Sequence, residues 1–558
     1  MQPCALIRRH ALIDLRRSLR YVRDCKWSGV LRSTGIALAV ACLVAISQTA
    51  PASAAVNDDP NASVPESALA LPPPGVSVAD PDFGSSIVRL SDASEQGSFE
   101  SPIYSQLQAF STDENYVLLD SPDGYRIRQL AGRGLVDIDT STWNAPRWDP
   151  ATPHSVLHFD ANDNETVVVQ RTDVGTGSTS DVFTFPGQFL TVLNNQSFDE
   201  LSRDGRWMSG MVTSQSGHDT VFVLDLVNRH LTFTKTIDSF YAGACTPDPH
   251  WGNVEPDWVG VSPLGRNLVI QWTRDGTSRC SGLETFDLET GAFVGRAYDG
   301  HQHGDLGVDS NGTSEFFMTY EMYHPSGLLS IGMRELPGNS TVSPPRYLRV
   351  LQWGNEEHIS CQGPNGGCLI STAADPSNGW NPFEQELFIQ NTDGTVDRLA
   401  HTRTSGCGYF AQSRATWSPD ARYVIWASDW NRESGDCSDN ERVDPMLLVL
   451  KGSLPTGAGN GASSPPPPGG VRRLHIVNRR VSAARVGWLA PATGQLGLSY
   501  EIMVARHGRT VRSWSNTGTS SQSLIRGLVR TKDYTVFVRA TNVSGQGPSA
   551  RITVPAFR

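Results

Sequence analysis

SPDARYVIWAS, residues 418–428, joins a short polar turn to an apolar run rich in β-branched and aromatic residues. Proline presets φ for a turn, and the Ser and Asp side chains bond to nearby backbone, so the first half reads as a tight turn and the second as a strand. The same unit recurs upstream, with turns beginning at Ser111 (STDENYVLL), Asp149 (DPATPHSVLHF), Ser202 (SRDGRWMSGMV), Ser262 (SPLGRNLVIQW), Asp309 (DSNGTSEFFM) and Gly363 (GPNGGCLIST). Successive starts lie 38, 53, 60, 47, 54 and 55 residues apart, the length of a four-stranded unit with loops of variable size. The copies at Asp149, Asp309 and Gly363 are degenerate and the other four are close.

Seven such units predict an all-β fold, a seven-bladed β-propeller over residues 85–451. SSIVRL at 85–90 is expected to pair with MLLVL at 446–450, which removes the sheet edges that a linear array exposes. Ahead of the ring, an Arg-rich stretch through Arg32, the apolar run GIALAVACLVAI (35–46) and Ala52-Ser53-Ala54 read as a signal peptide over 1–55. The run is too short to span a bilayer stably. The expectation is therefore an extracellular, secreted protein with no stable membrane span after cleavage. Residues 56–84, rich in Pro, Ala, Asp and Ser, are expected to be flexible.

Six cysteines follow the leader, an even number suited to disulfides in an exported protein. Fifteen pairings are open, and nearest neighbours are expected: Cys245–Cys280, Cys361–Cys368 and Cys407–Cys437. The formal net charge is −11, only 18% of residues are charged, and the positive charge is concentrated at the two ends. A nucleic-acid partner is therefore not expected for the main domain, which lacks a concentrated basic surface.

GSLPTGAGNGASSPPPPGG, 452–470, is a Pro/Gly-rich linker that cannot bury a core. Beyond it, Trp488 in RVGWLAP, Tyr500 in LSYEIMV, Leu528 and Tyr534 in DYTVFVRATNVSGQGPSA give residues 471–558 a pattern that resembles a fibronectin type III β-sandwich. That resemblance implies a Trp488 plug in the core and a Tyr534 hydroxyl tied to a preceding loop.

The run before each turn should be the innermost strand of its blade, with alternate side chains on one face. This register places Gln106, Gln108, Arg147, Asp199, Glu200, Asp257, Glu356, Glu357 and Gln412 along a channel together with three chemically sharper groups. In GHQHGDLGVDSNG, His301, His303 and Asp305 share a face, a spacing that can ligate a divalent cation (manganese or calcium) or orient a proton-abstracting histidine. The structural alternative is hydrogen bonding to neighbouring backbone. His401, Arg403, Tyr409 and Arg414 form a second group, in which guanidinium forks suit a substrate carboxylate and His or Tyr can move a proton. The structural alternative there is an Arg414 ion pair with Asp305 or Glu357. His358 is the third histidine expected at the channel. No Gly-x-Ser-x-Gly elbow, phosphate loop or HExxH motif occurs.

SRDGRW and SPDARYVIWASDW look like the TolB-type propeller repeat, and the HTR…Y…Q…R…SPD stretch is similar to oligogalacturonate lyases. The resemblance implies a channel-bound divalent metal and a histidine that removes the proton beside a uronate carboxylate. Those lyases carry a His-x-His pair before the last turn, where this chain has Gln412 and Arg414. Two functions follow as expectations. One is an exported carbohydrate-active β-elimination lyase on a uronate-containing glycan, with catalytic His358, His401, Arg403, Tyr409 and Arg414 and a metal on His301, His303 and Asp305. The other is a non-catalytic secreted propeller that binds a glycan or a cell-surface protein partner, with Trp251 and Trp380 as contact points.

Overall fold

The computed structural model describes residues 59–557 apart from 97, 161–165, 194–200, 244, 246–254, 337–342, 375–378, 432–441, 451–467, 490, 492–498, 517–521 and 543–544. The expected signal peptide, most of the linker, and Asp199, Glu200, Trp251 and Cys437 lie outside the described residues. The described chain is all-β and consists of small antiparallel sheets. Among the described residues no helix is long and apolar enough to cross a membrane.

The repeated turns work as their chemistry requires. The side-chain oxygens of Ser111, Ser202, Ser262 and Ser418 accept N–H bonds from residues four or five positions on, as in Tyr116 to Ser111 (3.0 Å) and Tyr423 to Ser418 (3.1 Å). Asp309 accepts the N–H of Thr313 and Ser314 in the same way. Gly363 has no side chain to do so, which accounts for the degenerate look of that copy. Every turn then passes through the left-handed region: Glu114, His154, Gly205, Gly265, Gly312, Gly366 and Ala421 have φ between 51° and 97°. Glycine adopts this conformation without the steric cost a Cβ incurs. Ala421→Gly is accordingly expected to stabilise the protein by about 0.5 kcal/mol, read as a higher denaturant midpoint with an unchanged slope.

Each turn launches the second strand of a sheet. The sheets are consecutive meanders, the second starting at Trp143–Trp148, the third at Phe189–Val192, the fourth at Pro256–Val261, the fifth at Gly304–Val308 and the sixth at His358–Ser360. The first sheet has three strands, Ser101–Pro102, Tyr116–Ser121 and Gly124–Gln129. The seventh combines Thr416–Trp417, Tyr423–Ser428 and Asp444–Val449 with Ser86–Arg89 from the start of the chain, in the register Ile87 to Leu448 and Val88 to Leu447. The expected pairing of 85–90 with 446–450 is therefore present.

Apolar clusters join these sheets in sequence. Phe159 and Phe222 link the second to the third, Met211 and Ile270 the third to the fourth, and Tyr298 and Phe317 the fourth to the fifth. Tyr320 and Ile370 link the fifth to the sixth, and Leu387 and Trp426 the sixth to the seventh. One cluster holds the first sheet between the second and the seventh, through Trp148, Val117 and Ile425. Cys245–Cys280 staples the fourth sheet region and Cys361–Cys368 the sixth, with Cα separations of 5.5 and 4.2 Å. Cys407 is also disulfide-bonded.

Residues 59–84 correct the expectation of a flexible segment. They lie as a strap on the sixth and seventh sheets: Arg398 donates to the Asp59 and Ala62 carbonyls at 2.9 Å, Arg403 to the Ser67 carbonyl at 2.9 Å and Trp430 to the Leu69 carbonyl at 2.8 Å. Leu69, Leu71 and Val78 pack on the Trp426 cluster. A composition poor in apolar residues predicts disorder when a segment stands alone, whereas here buried guanidiniums supply the partners.

Residues 471–557 form two sheets on one core. Arg472–Arg479, Ala483–Leu489 and Gln522–Arg526 make one, and Ser499–Arg506, Arg509–Asn516, Tyr534–Asn542 and Ala550–Val554 make most of the other. Trp488, Tyr500, Val536 and Val538 fill the space between. The Tyr534 hydroxyl accepts the N–H of Val529 at 3.0 Å, fastening the strand to the loop before it.

Candidate functional site

The first strands and turns of different sheets bond directly to one another. Gln106 donates to the Gly304 carbonyl at 2.7 Å, and Gln108 to the Gln362 and Trp417 carbonyls at 3.0 and 3.1 Å. Arg203 donates to the Cys361 carbonyl at 2.9 Å and to the Asn365 side chain. Residues far apart in sequence thus meet along these strands, with chemistry at both ends.

At the end remote from the turns, His303 and His358 stack with ring centroids 5.0 Å apart and planes 11° apart. Tyr104 meets His358 edge-on at 5.2 Å. His303 is exposed, and its Nδ1 lies on the Glu357 carbonyl. A carbonyl only accepts, so Nδ1 carries the proton and Nε2 is the basic nitrogen. His358 is buried, neither of its ring nitrogens has a hydrogen-bond partner among the described residues, and burial, with His303 and the Arg414 guanidinium acting in the same direction, holds it well below the usual histidine range. A cavity of about 20 Å³ lined by Tyr104, Asp257, Trp258, Gln302 and His303 has room for a single water.

The structure does not assemble the expected metal ligands. His301 Nε2 lies 3.2 Å from Asp257 Oδ2, and that hydrogen bond raises the imidazole above its ordinary range. Asp305 is buried and accepts the Cys361 N–H at 2.6 Å and the Gln362 amide at 3.3 Å. Side chains two residues apart on one face were expected to converge, but each has a different partner. Among the described residues no cluster of three His, Cys, Asp or Glu has metal-holding geometry. Glu357 is buried, accepts the Ser413 N–H at 3.0 Å and the Ser413 hydroxyl, and is pushed up by burial.

The remaining candidates divide. Arg414 is near the histidine pair, with its guanidinium 4.0 Å from the centre of the half-exposed Tyr409 ring, yet its Nη1 is 2.9 Å from Asp120 rather than on Asp305 or Glu357. Its φ of 45° is a left-handed conformation for a non-glycine residue, costing on the order of 1 kcal/mol. His401 and Arg403 are elsewhere, beneath the strap. Arg403 reaches Glu66 at 3.2 Å and Asp80 at 3.4 Å, and His401 lies 3.5 Å from Asp82 with no exposed surface. Burial lowers the His401 pKa and raises that of Glu66. The edge of the Trp380 ring packs on His401 at 5.6 Å.

At the turn end of the same strands is a cavity of about 370 Å³, lined among others by Gln106, Gln108, Arg147, Arg203, Gln362 and Asn365, with Leu107, Pro364 and Pro419 beside them. The repeat register had put Gln106, Gln108 and Arg147 on channel strands without showing that the turns themselves wall a cavity. The signal for it was present: Arg203, Asn365 and Pro419 all occupy turn positions.

No family model matches the chain, and no curated protein matches it. Over 16% of its length it is similar to domains d3–d4 of the rat CD45 extracellular region, at 18% identity and a TM-score of 0.15, spanning half of that chain. Over the same share it is similar to the twitchin kinase region from C. elegans (26% identity, TM-score 0.15, 17% of that chain) and to the FN5 domain of Drosophila Lar (19% identity, TM-score 0.14, 98% of that chain).

Proposed function

We propose that the seven meander sheets are the blades of a propeller, that residues 471–558 are a fibronectin type III domain, and that the protein is secreted and binds a glycan in the turn-end cavity without transforming it. The cavity carries this reading. Its volume suits a ligand of one or two sugar rings, and its lining carries carboxamides and guanidiniums that, while bonded to one another and to backbone, place polar groups along the wall as sugar hydroxyls require. The groups a uronate lyase needs are engaged elsewhere: Arg414 with Asp120, Arg403 with Glu66 and Asp80, and His401 beneath the strap. A substrate carboxylate would have to displace an existing ion pair before either arginine served it. In a glycan-array screen the chain is expected to retain a defined oligosaccharide, and Arg203→Ala/Asn365→Ala to weaken that binding about tenfold or more. His303→Gln should leave it unchanged. A chain that holds no glycan, or a cavity variant that binds as well as the parent, would overturn the proposal.

One observation favours the lyase as a second reading. His303 is exposed, and the Glu357 carbonyl fixes its tautomer so that Nε2 is available to take a proton. Its test is ultraviolet absorbance from an unsaturated product on incubation with pectate, alginate and glycosaminoglycans. No signal from any of the three removes this reading, and a signal lost in His303→Ala supports it.

A further inference from the structure

The charge of the chain is divided unevenly. Residues 471–558 hold fourteen Lys and Arg, all but one of them Arg, against two acids, whereas 56–470 hold 24 Lys and Arg against 53 Asp and Glu. The two acids of the C-terminal segment are used locally. Glu501 accepts from Arg539 at 2.7 Å, and Asp533 accepts the Ala556 N–H at 2.6 Å. Neither answers the exposed Arg485, Arg509, Arg512 and Arg526.

Three of these arginines are brought together by the sandwich. Arg512 donates to the Arg526 carbonyl at 2.5 Å, and Arg485 pairs with Leu524, two residues along the same strand from Arg526. Arg509 follows the adjacent hairpin turn and stands directly opposite Arg506. Like charges opposite one another on a sheet are destabilising, so this pattern does not serve the fold. Arg509–Asn516 and Gln522–Arg526 belong to different sheets, and between them runs a cleft of about 380 Å³ lined by Arg512, Ser515, Gln522 and Ser523 and by four apolar side chains; Arg512 is the one of the four arginines in that lining.

We infer that this cleft, with Arg512 in its lining and Arg485, Arg509 and Arg526 exposed on strands of the same two sheets, binds an acidic polysaccharide. Guanidinium forks match carboxylate or sulfate groups, and the serine hydroxyls and the glutamine amide match sugar hydroxyls. A single chain of sugars can lie in a cleft that a nucleic-acid duplex or a bilayer surface is too wide to enter. The acidic remainder of the protein repels polyanions, which confines the contact to this domain. The site is separate from the turn-end cavity and does not depend on the function proposed for it.

The test uses the chain from residue 59 onward with five probes: polygalacturonate, heparin, neutral dextran, duplex DNA and phosphatidylserine vesicles. At about 50 mM salt, polygalacturonate, heparin or both should bind and dextran should not, with affinity falling steeply as salt rises. The first two arms separate carboxylate from sulfate recognition. Replacing all four arginines by Gln should weaken binding about tenfold or more and flatten the salt dependence, whereas replacing all four by Lys should keep that dependence. Arg512→Glu alone should also weaken binding, which covers the case in which the fourfold Gln variant does not fold. Failure to bind either polyanion, unchanged affinity in a folded Gln variant, or tighter binding to DNA or vesicles would overturn the inference.

Discussion

A chain begun at residue 90 is expected to be recovered as aggregate, whereas one begun at residue 59 folds and stays soluble. Truncation removes the strand Ser86–Arg89 and leaves Asp444–Val449 as a bare edge whose Met446, Leu447 and Leu448 are fully buried in the intact protein. Such an edge is a template for pairing with other chains. The loss also strips partners from buried charges. Arg89 Nε lies 2.9 Å from Asp444 Oδ2 with both side chains inaccessible, and Arg403 loses Glu66, Asp80 and Asp82 together. Each uncompensated buried charge costs about 3–5 kcal/mol, and two such losses match the whole stability of a typical domain, about 5–15 kcal/mol. Size-exclusion chromatography and far-ultraviolet circular dichroism of the two chains check this. A monomeric chain from residue 90 that unfolds cooperatively would show that the strap and the closing strand are dispensable.

Arg398→Met is expected to lower stability by about 3–5 kcal/mol, the largest effect of any single substitution considered. Arg398 and Glu386 are both fully buried and bonded in a two-pronged pair, with Nε to Oε2 at 2.8 Å and Nη2 to Oε1. Arg398 also holds the Asp59 and Ala62 carbonyls, so the strap loosens with it. Burial pushes the Glu386 carboxyl up from 4.5 to about 7, with Arg398 pulling the other way. Without the arginine it should move higher still. A carboxyl whose folded pKa is raised stabilises the protein fully below its unfolded value, and that stability drains away as pH rises through the folded value. The loss in Arg398→Met should therefore be smallest near pH 4.5 and deepen through pH 7 and above. Arg398→Met/Glu386→Leu should recover part of the loss, because it leaves no lone charge behind. Denaturant midpoints across pH for the parent and both variants decide the matter. A single-variant loss below about 1 kcal/mol would assign the pair no more weight than a surface contact.

The two variants probe the part of the molecule least visible in its sequence. Ser111, Ser202, Ser262 and Ser418 announce their turns because each bond runs only four or five residues along the chain. Trp488 and Tyr534 announce the C-terminal sandwich in the same local way. The strap has no such signature. Its order depends on Arg398, Arg403 and Trp430, more than 300 residues downstream, and its own composition reads as disorder. The spacing of His301, His303 and Asp305 suggested convergence on a metal, yet His301 goes to Asp257, Asp305 to the Cys361 N–H, and His303 stacks on His358. Arg414 illustrates the same limit: its partner Asp120 sits on a strand of the first sheet, beside the seventh only because the first and last sheets share a core.

The sequence by itself determined the turns, the strands they launch, the pairing of residues 85–90 with 446–450 and the three-way division of charge along the chain. The turns, strands and charge division follow from backbone conformational preference, short-range hydrogen bonds and composition, each of which acts within a few residues, whereas the long-range pairing was legible because a run of consecutive sheets leaves an edge that the other end of the chain can cover. Tertiary structure alone decided which charges are spent. It gave Arg414 to Asp120 and Arg403 to the strap, left the turn-end cavity open, and left four exposed arginines, of which Arg512 lines a cleft, with no acid of their own domain to answer them. The physical reason is that a charged side chain takes whatever partner the folded chain brings within about 4 Å, and sequence spacing does not encode that distance.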